Sequence, residues 1–189
     1  MDTRERRTTG RLKWAFLIAL FLLLAVPLHA EEEGSKLVGK DAPAFEAKDP
    51  VGNPVTLALL RQDKGPVLIN FWGLRCGACI QEIPHLNLLY GKYGKGGLKI
   101  LGVNVDGLPG PKVRKEMEAS SIKIDYPWIP DPEFKVIDLF QMGGAPLNVV
   151  IDPAGKVTWH HEGFEEGDEA KIEAEIRKVM PGATAVKEK

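Results

Sequence analysis

The run Val67-Leu68-Ile69-Asn70-Phe71-Trp72, followed closely by Cys76-Gly77-Ala78-Cys79, constrains this chain more than any other stretch. Branched and aromatic residues entered through Gly65-Pro66 predict a buried strand. Ile80, Ile83, Leu86, Leu89 and Tyr90 then recur at helical spacing, so a helix is expected from Cys76 to about Tyr93. The chain has 2 cysteines, and both fall where strand gives way to helix. A C-x-x-C at such a junction, with strand–helix units on both sides, is the sequence form of a dithiol redox site.

The chemistry explains the spacing. A cysteine at the first turn of a helix meets unpaired backbone N–H groups and the positive end of the helix dipole. Both favour thiolate, so Cys76 is expected to titrate below an ordinary thiol. Cys79 stands three residues on, on the same helical face, within reach of a disulfide. Cys76 can then attack a substrate disulfide and Cys79 can resolve the mixed intermediate. Glu82, a further three residues along, still leans toward the cysteine side. It reads either as a solvated carboxylate or as a partly buried one beneath Cys79 that takes its proton during resolution. His85 lies round the far side and reads as structural, because one histidine without partners is a poor ligand signal. Pro84 lacks an N–H and is expected to kink the helix.

The opening residues bear on location. Arg4, Arg6, Arg7, Arg11 and Lys13 precede an apolar run from Trp14 to Val26, then Pro27-Leu28-His29-Ala30. That order fits a secretory signal peptide over residues 1–30. Leu28 is larger than a cleavage site prefers, and an uncut segment from Leu12 to Ala30 approaches membrane-spanning length, with the basic residues held in the cytoplasm. The expected location is therefore periplasmic or otherwise extracytoplasmic, either soluble after cleavage or anchored in the inner membrane by the N-terminal helix. Arg6-Arg7 hints at a twin-arginine signal, but Gly10 interrupts the apolar position expected after it. Residues 1–30 hold five of the 25 basic and two of the 26 acidic residues, leaving a formal charge of −4 on the rest. No basic field for nucleic acid remains. In an oxidising compartment, a lone C-x-x-C in a chain this long is better suited to redox work than to stapling the fold.

Along the remaining chain, residues 31–36 read as a charged linker and 181–189 as a flexible tail. Phe45–Lys48 and Val55–Leu57 flank a turn-forming segment, Asp49 to Asn53, as a hairpin would, and Leu57 to Gln62 suggests a short helical turn. Leu98 to Val105 is a second buried strand, Pro111 to Ser121 a helix, and Tyr126 to Pro130 a short extended piece. Asp131-Pro132 is expected to open a helix ending at Gly143-Gly144. Leu147–Asp152 and Val157–His161, joined by Pro153-Ala154-Gly155-Lys156, form an antiparallel hairpin. Glu165 to Met180 closes the domain as an amphipathic helix. Neither repeats nor a second domain are visible.

This order, with Gly39-Lys40-Asp41-Ala42-Pro43-Ala44-Phe45, Asn70-Phe71-Trp72 before C-x-x-C, Glu82-Ile83-Pro84 and Gly144-Ala145-Pro146 leading to Ile151-Asp152-Pro153-Ala154-Gly155-Lys156, resembles the thioredoxin superfamily. Within it the chain is similar to the exported TlpA/ResA-like thiol-disulfide oxidoreductases, which include the CcmG-type proteins of cytochrome c maturation. The resemblance spans residues 37–180. It implies an α/β class: a three-layer α/β/α thioredoxin-like fold with an N-terminal β-hairpin extension and a central helical insert around 111–140.

The resemblance further implies that Cys76, Cys79 and Glu82 are catalytic, Glu82 matching a buried active-site glutamate. Trp72, Arg75, Ala145 and Pro146 would contact substrate. Pro146 would follow a cis peptide bond, bringing the Ala145 backbone to the site to pair with an extended substrate. Protein disulfides and thiols would be the substrates and a membrane protein the electron donor. No cofactor or metal is expected beyond the redox-active Cys76–Cys79 pair.

Departures from the pattern fall at three places, four residues in all. Arg75 replaces the usual tryptophan before the first cysteine, trading an aromatic surface for a charge that lowers the Cys76 pKa or is simply solvated. Gly77-Ala78 replaces the common proline-containing pair, and Leu147 stands where threonine often follows the proline. Two further activities compete. A thiol peroxidase shares the Pro43-Ala44-Phe45 entry, but Gly73 occupies the place of the Thr or Ser three residues before a peroxidatic cysteine. A copper-binding assembly factor would join Cys76 and Cys79 to His160 or His161, yet adjacent strand histidines point to opposite faces.

Overall fold

A computed structural model describes residues 35–180. The leader at 1–30, most of the linker and the 181–189 tail lie outside the described residues.

Alternation along the central strand decides which residues face which layer. In β3 (Val67–Trp72) every residue is buried. Ile69 and Phe71 point into a core with Phe45, Leu57, Val136 and Phe140, while Leu68 faces Leu86, Leu89, Ile172 and Ile176 on the opposite side. Both faces are covered, which is why the strand reads as a continuous apolar run. β3 lies in the middle of a five-stranded sheet, parallel to β4 (Lys99–Asn104), which is parallel to β5 (Trp128–Pro130). On its other side it pairs antiparallel with β6 (Leu147–Ile151), which pairs antiparallel with β7 (Val157–Glu162).

α2 (Gly77–Tyr93), α3 (Gly110–Ala119) and α5 (Asp168–Val179) supply the layer over Leu68, Asn70 and Trp72. The opposite layer holds α1 (Leu57–Leu60), α4 (Lys135–Leu139) and a separate hairpin of β1 (Glu46–Lys48) and β2 (Pro54–Thr56). Asp49 fixes that hairpin turn: Oδ1 accepts from Val51 N and Asn53 N, both at 2.9 Å. The expected three-layer α/β/α arrangement with an added hairpin is the one observed.

Two helices begin later than the sequence suggests. α4 starts at Lys135 rather than at Asp131-Pro132, because Phe134 is left-handed (φ 58°) and the buried Asp131 carboxylate accepts from Val136 N at 3.0 Å and Ile137 N at 2.9 Å. Asp131 thus caps the helix from outside instead of opening it. α5 starts at Asp168, after Gly167 at φ 101°, because the Asp168 side chain accepts from Glu165 N at 2.9 Å and holds the preceding residues in a turn. Pro84 lies inside α2.

The topology gathers several loops at one edge of the sheet. Loops following β3, β4 and β5 leave the carboxyl ends of parallel strands, whereas β6 begins there because it runs the other way. Its Leu147 pairs with Phe71, which brings residues 143–146 beside residues 73–76.

Candidate active site

Cys76 is the N-cap of α2, with extended backbone at φ −94° and ψ 103°. Its sulfur accepts from Cys79 N at 3.2 Å, so one of the orphan amide donors of the first turn points at sulfur. Cys76 and Cys79 are joined, with S–S 2.09 Å and Cα atoms 5.2 Å apart. Cys76 is half-buried and Cys79 wholly buried. A nucleophile from outside therefore reaches the leading sulfur first.

The loop that delivers Cys76 is tied from β4. Asp106 Oδ2 accepts from Leu74 N at 2.8 Å and from Asn104 Nδ2 at 2.6 Å, while Val105 N donates to Trp72 O at 3.0 Å. A side chain at Gly73 would meet Asp106 Oδ1 at 3.4 Å, so the two loops are nearly in contact there. Nothing in the sequence marks Asp106; it gains its role only where the β3 and β4 loops meet.

Glu82 is fully buried, as the resemblance implied and more deeply than the helix spacing alone suggested. Both oxygens have amide partners: Asn70 Nδ2 donates to Oε2 at 2.8 Å and Asn148 Nδ2 to Oε1 at 2.5 Å. Burial pushes the carboxyl up from 4.5 to about 7; the Asn148 and Asn70 donors pull against that, and the negative charge of Asp168 adds to it. A carboxyl raised this far meets the pKa requirement of a general acid–base working near neutral pH. Nearby Tyr126 is also buried, and desolvation followed by the Glu82 charge raises its phenol far above the ordinary range.

The Ala145–Pro146 bond is cis, as the resemblance implied. Pro146 is buried and Ala145 exposed. The segment is held at both ends: Gly163 N donates to Pro146 O at 2.8 Å, and Gly143 N donates to Glu162 Oε1 at 2.5 Å. Arg75 is exposed beside Cys76.

Trp72 requires a correction. Its side chain is wholly buried, edge-on to Trp128 with ring centroids 6.3 Å apart, and packed with Cys79, Ile83, Val113 and Met117. The alternation of β3 aims position 72 into the helical layer, so the indole supports the cysteine helix from beneath and offers no surface to a substrate. The three described histidines point into different surroundings. His85 stands against Phe164, 5.7 Å between ring centroids; His160 Nε2 is 3.0 Å from Phe140 O; and His161 stacks on Trp159 at 5.0 Å. His160 and His161 thus take opposite faces of β7. Among the described residues, no group of three or more His, Cys, Asp or Glu is arranged to hold a metal ion.

A family model described as the AhpC/TSA family matches residues 38–160, more than half of the chain. The chain belongs to the AhpC/TSA family. Within that family it is ResA-like. It is 34% identical over 149 residues to a thiol-disulfide oxidoreductase ResA of Geobacillus thermodenitrificans, covering 77% of this chain and 83% of the relative. It is 31% identical over 178 residues to a ResA of Bacillus cereus, covering 91% and 98%. A solved structure provisionally described as the thiol:disulfide interchange protein DsbE of Chlorobium tepidum superposes with a TM-score of 0.68 at 28% identity, over 75% of this chain and 96% of that one. A thiol:disulfide interchange protein from a Bacteroides species gives 0.61 at 27%, over 78% and 92%. This AhpC/TSA member is therefore a thiol-disulfide oxidoreductase of the thioredoxin superfamily, and the Cys76–Cys79 bridge is the pair that suits the activity.

Proposed function

We propose that this oxidoreductase acts outside the cytoplasm as a reductase of protein disulfides, serving cytochrome c maturation and drawing electrons from a membrane-bound dithiol donor. The observation that carries the catalytic part is the asymmetry of the sulfur pair: a half-buried cysteine capping a helix, and a buried one on the helix that also carries Glu82. The leader pattern at residues 1–30 supports export, either cleaved or retained as an anchor.

In the reduced enzyme, the Cys76 thiolate attacks one sulfur of a substrate disulfide. The substrate S–S bond breaks, one substrate sulfur leaves as thiolate, and a Cys76–substrate disulfide forms. Cys79 then gives its proton to the Glu82 carboxylate and attacks the Cys76 sulfur. The second substrate sulfur departs and the Cys76–Cys79 bond closes, two electrons having passed to the substrate. An external dithiol restores the reduced state, and no cofactor beyond the cysteine pair takes part. The exposed Ala145 backbone beside cis-Pro146 is positioned to pair with an extended substrate segment, and Arg75 lines the same approach.

Replacing Cys79 with serine in the native host tests this. Resolution stops, and substrates accumulate as disulfides to Cys76 that can be isolated and named. Capture of apocytochrome or of a haem-attachment partner supports the pathway; capture of none of these removes that part. A measured potential of about −120 mV, the oxidising end of the range, contradicts the reductase direction while leaving the chemistry intact.

A further inference from the structure

The buried face between β3, β6 and α2 contains more polar groups than disulfide exchange by two cysteines requires. Asn70 and Asn148 stand opposite each other on neighbouring strands, and neither is exposed. Asn70 Nδ2 donates both to Glu82 Oε2 at 2.8 Å and to Asn148 Oδ1 at 3.1 Å, and Asn148 Nδ2 donates to Glu82 Oε1 at 2.5 Å. The three side chains therefore close a ring. Tyr126 OH lies 3.5 Å from Asn70 Oδ1 and fixes which end of that amide faces the carboxylate. Two asparagines in the middle of apolar strands carry a large desolvation cost unless fully partnered. Here their partner is the one carboxylate assigned to proton transfer.

We propose that Asn70 and Asn148 are positioning residues, oriented by Tyr126, that hold the Glu82 carboxylate in place for proton exchange with Cys79 and thereby govern the resolving step. This deepens the reading of Glu82 given above and rests on it. The amides donate to both oxygens, and an amide N–H favours the ionised carboxylate that must receive the proton. Removing one donor leaves more Glu82 protonated at a given pH, and the second half-reaction slows.

Other charged groups face the same region. On β7, His161 stands opposite Asn148, 4.0 Å from Asp168 on α5, which is itself paired with Lys171 at 2.7 Å. Asp168 acts on Glu82 through its charge. On α2 itself, Cys79 precedes Glu82 by one turn and His85 follows it. All of these stay in place when Asn148 alone is changed, so the difference between wild type and variant isolates the amide.

The experiment uses reduced protein and an aromatic disulfide reagent that releases a coloured thiolate at each step. The first release reports attack by Cys76, the second resolution by Cys79. For Asn148→Ala, the second release should slow about tenfold below the wild-type pH midpoint, and its midpoint should rise by about one pH unit. Asn148→Thr, which restores a hydroxyl donor, should recover part of the loss. Tyr126→Phe, a milder change, should shift the midpoint the same way by less, and serves if the alanine variant does not fold. Slowing by one factor at every pH, with the midpoint unmoved, overturns the inference and shows a merely structural role. If Glu82→Gln slows the second release but neither amide nor phenol variant moves the midpoint, only this inference fails. If Glu82→Gln resolves at full speed, the proton-acceptor reading fails, and this one with it.

Discussion

Replacing Glu82 with glutamine should change how stability depends on pH, by an amount that follows from the buried carboxyl. In the folded oxidised protein burial pushes the Glu82 carboxyl up to about 7, against 4.5 for an ordinary glutamate. Between those values the native state holds a proton that the unfolded chain has released. Stability therefore falls as pH rises, at 1.36 kcal/mol per unit for one full proton. The contribution of protonated Glu82 is intact below about pH 4.5, is lost as pH climbs through about 7, and is level beyond. The interval corresponds to about 3 kcal/mol. Glutamine cannot titrate. It also offers one acceptor oxygen where the two amides need two, so Glu82→Gln carries a further cost of about 1–3 kcal/mol that does not vary with pH. Urea unfolding of oxidised wild type and variant at a series of pH values separates the two effects. The variant should gain on wild type by about 3 kcal/mol between pH 4.5 and 8. Two curves that stay parallel across that range would refute the argument, because they would mean Glu82 is ionised throughout or accessible to water.

The loop and the residue before the nucleophile give two further predictions. Asp106→Ala removes the acceptor for Leu74 N and Asn104 Nδ2 and should cost about 1–3 kcal/mol in thermal or urea unfolding; an unchanged midpoint would show that the β4 loop does not hold the cysteine loop. Arg75→Trp removes an exposed positive charge beside Cys76, so the Cys76 thiolate, followed by its ultraviolet absorbance, should form at a pH higher by up to about one unit; an unchanged titration would show that the guanidinium is simply solvated.

The sequence carried the layer order because periodicity and turn chemistry are local. A continuous apolar run predicted β3 as buried on both faces, and helical spacing after Cys76 predicted α2 nearly to its last residue. Starts of α4 and α5 escaped because periodicity does not show which backbone groups a side chain will bond: Asp131 accepts from amides five and six residues on and Asp168 from one three residues back, together with a left-handed Phe134 or Gly167. The cysteine pair was legible because its spacing is the chemistry. Asn148 was not, since its partner Glu82 lies 66 residues away and only strand pairing brings them together. The usable signal was an asparagine interrupting an apolar strand twice, at positions 70 and 148, where an unpartnered amide is too costly to bury. Trp72 shows the converse error. The resemblance implied a substrate contact there, while the strand pattern of the same six residues already turned it inward.

The central claim is that Cys76 is the sulfur that begins exchange. Reduction of insulin disulfides by a small dithiol, with wild type and Cys76→Ser as catalysts, tests it most directly. The account predicts acceleration by wild type and only the uncatalysed rate with the serine variant; undiminished cleavage by Cys76→Ser would contradict it.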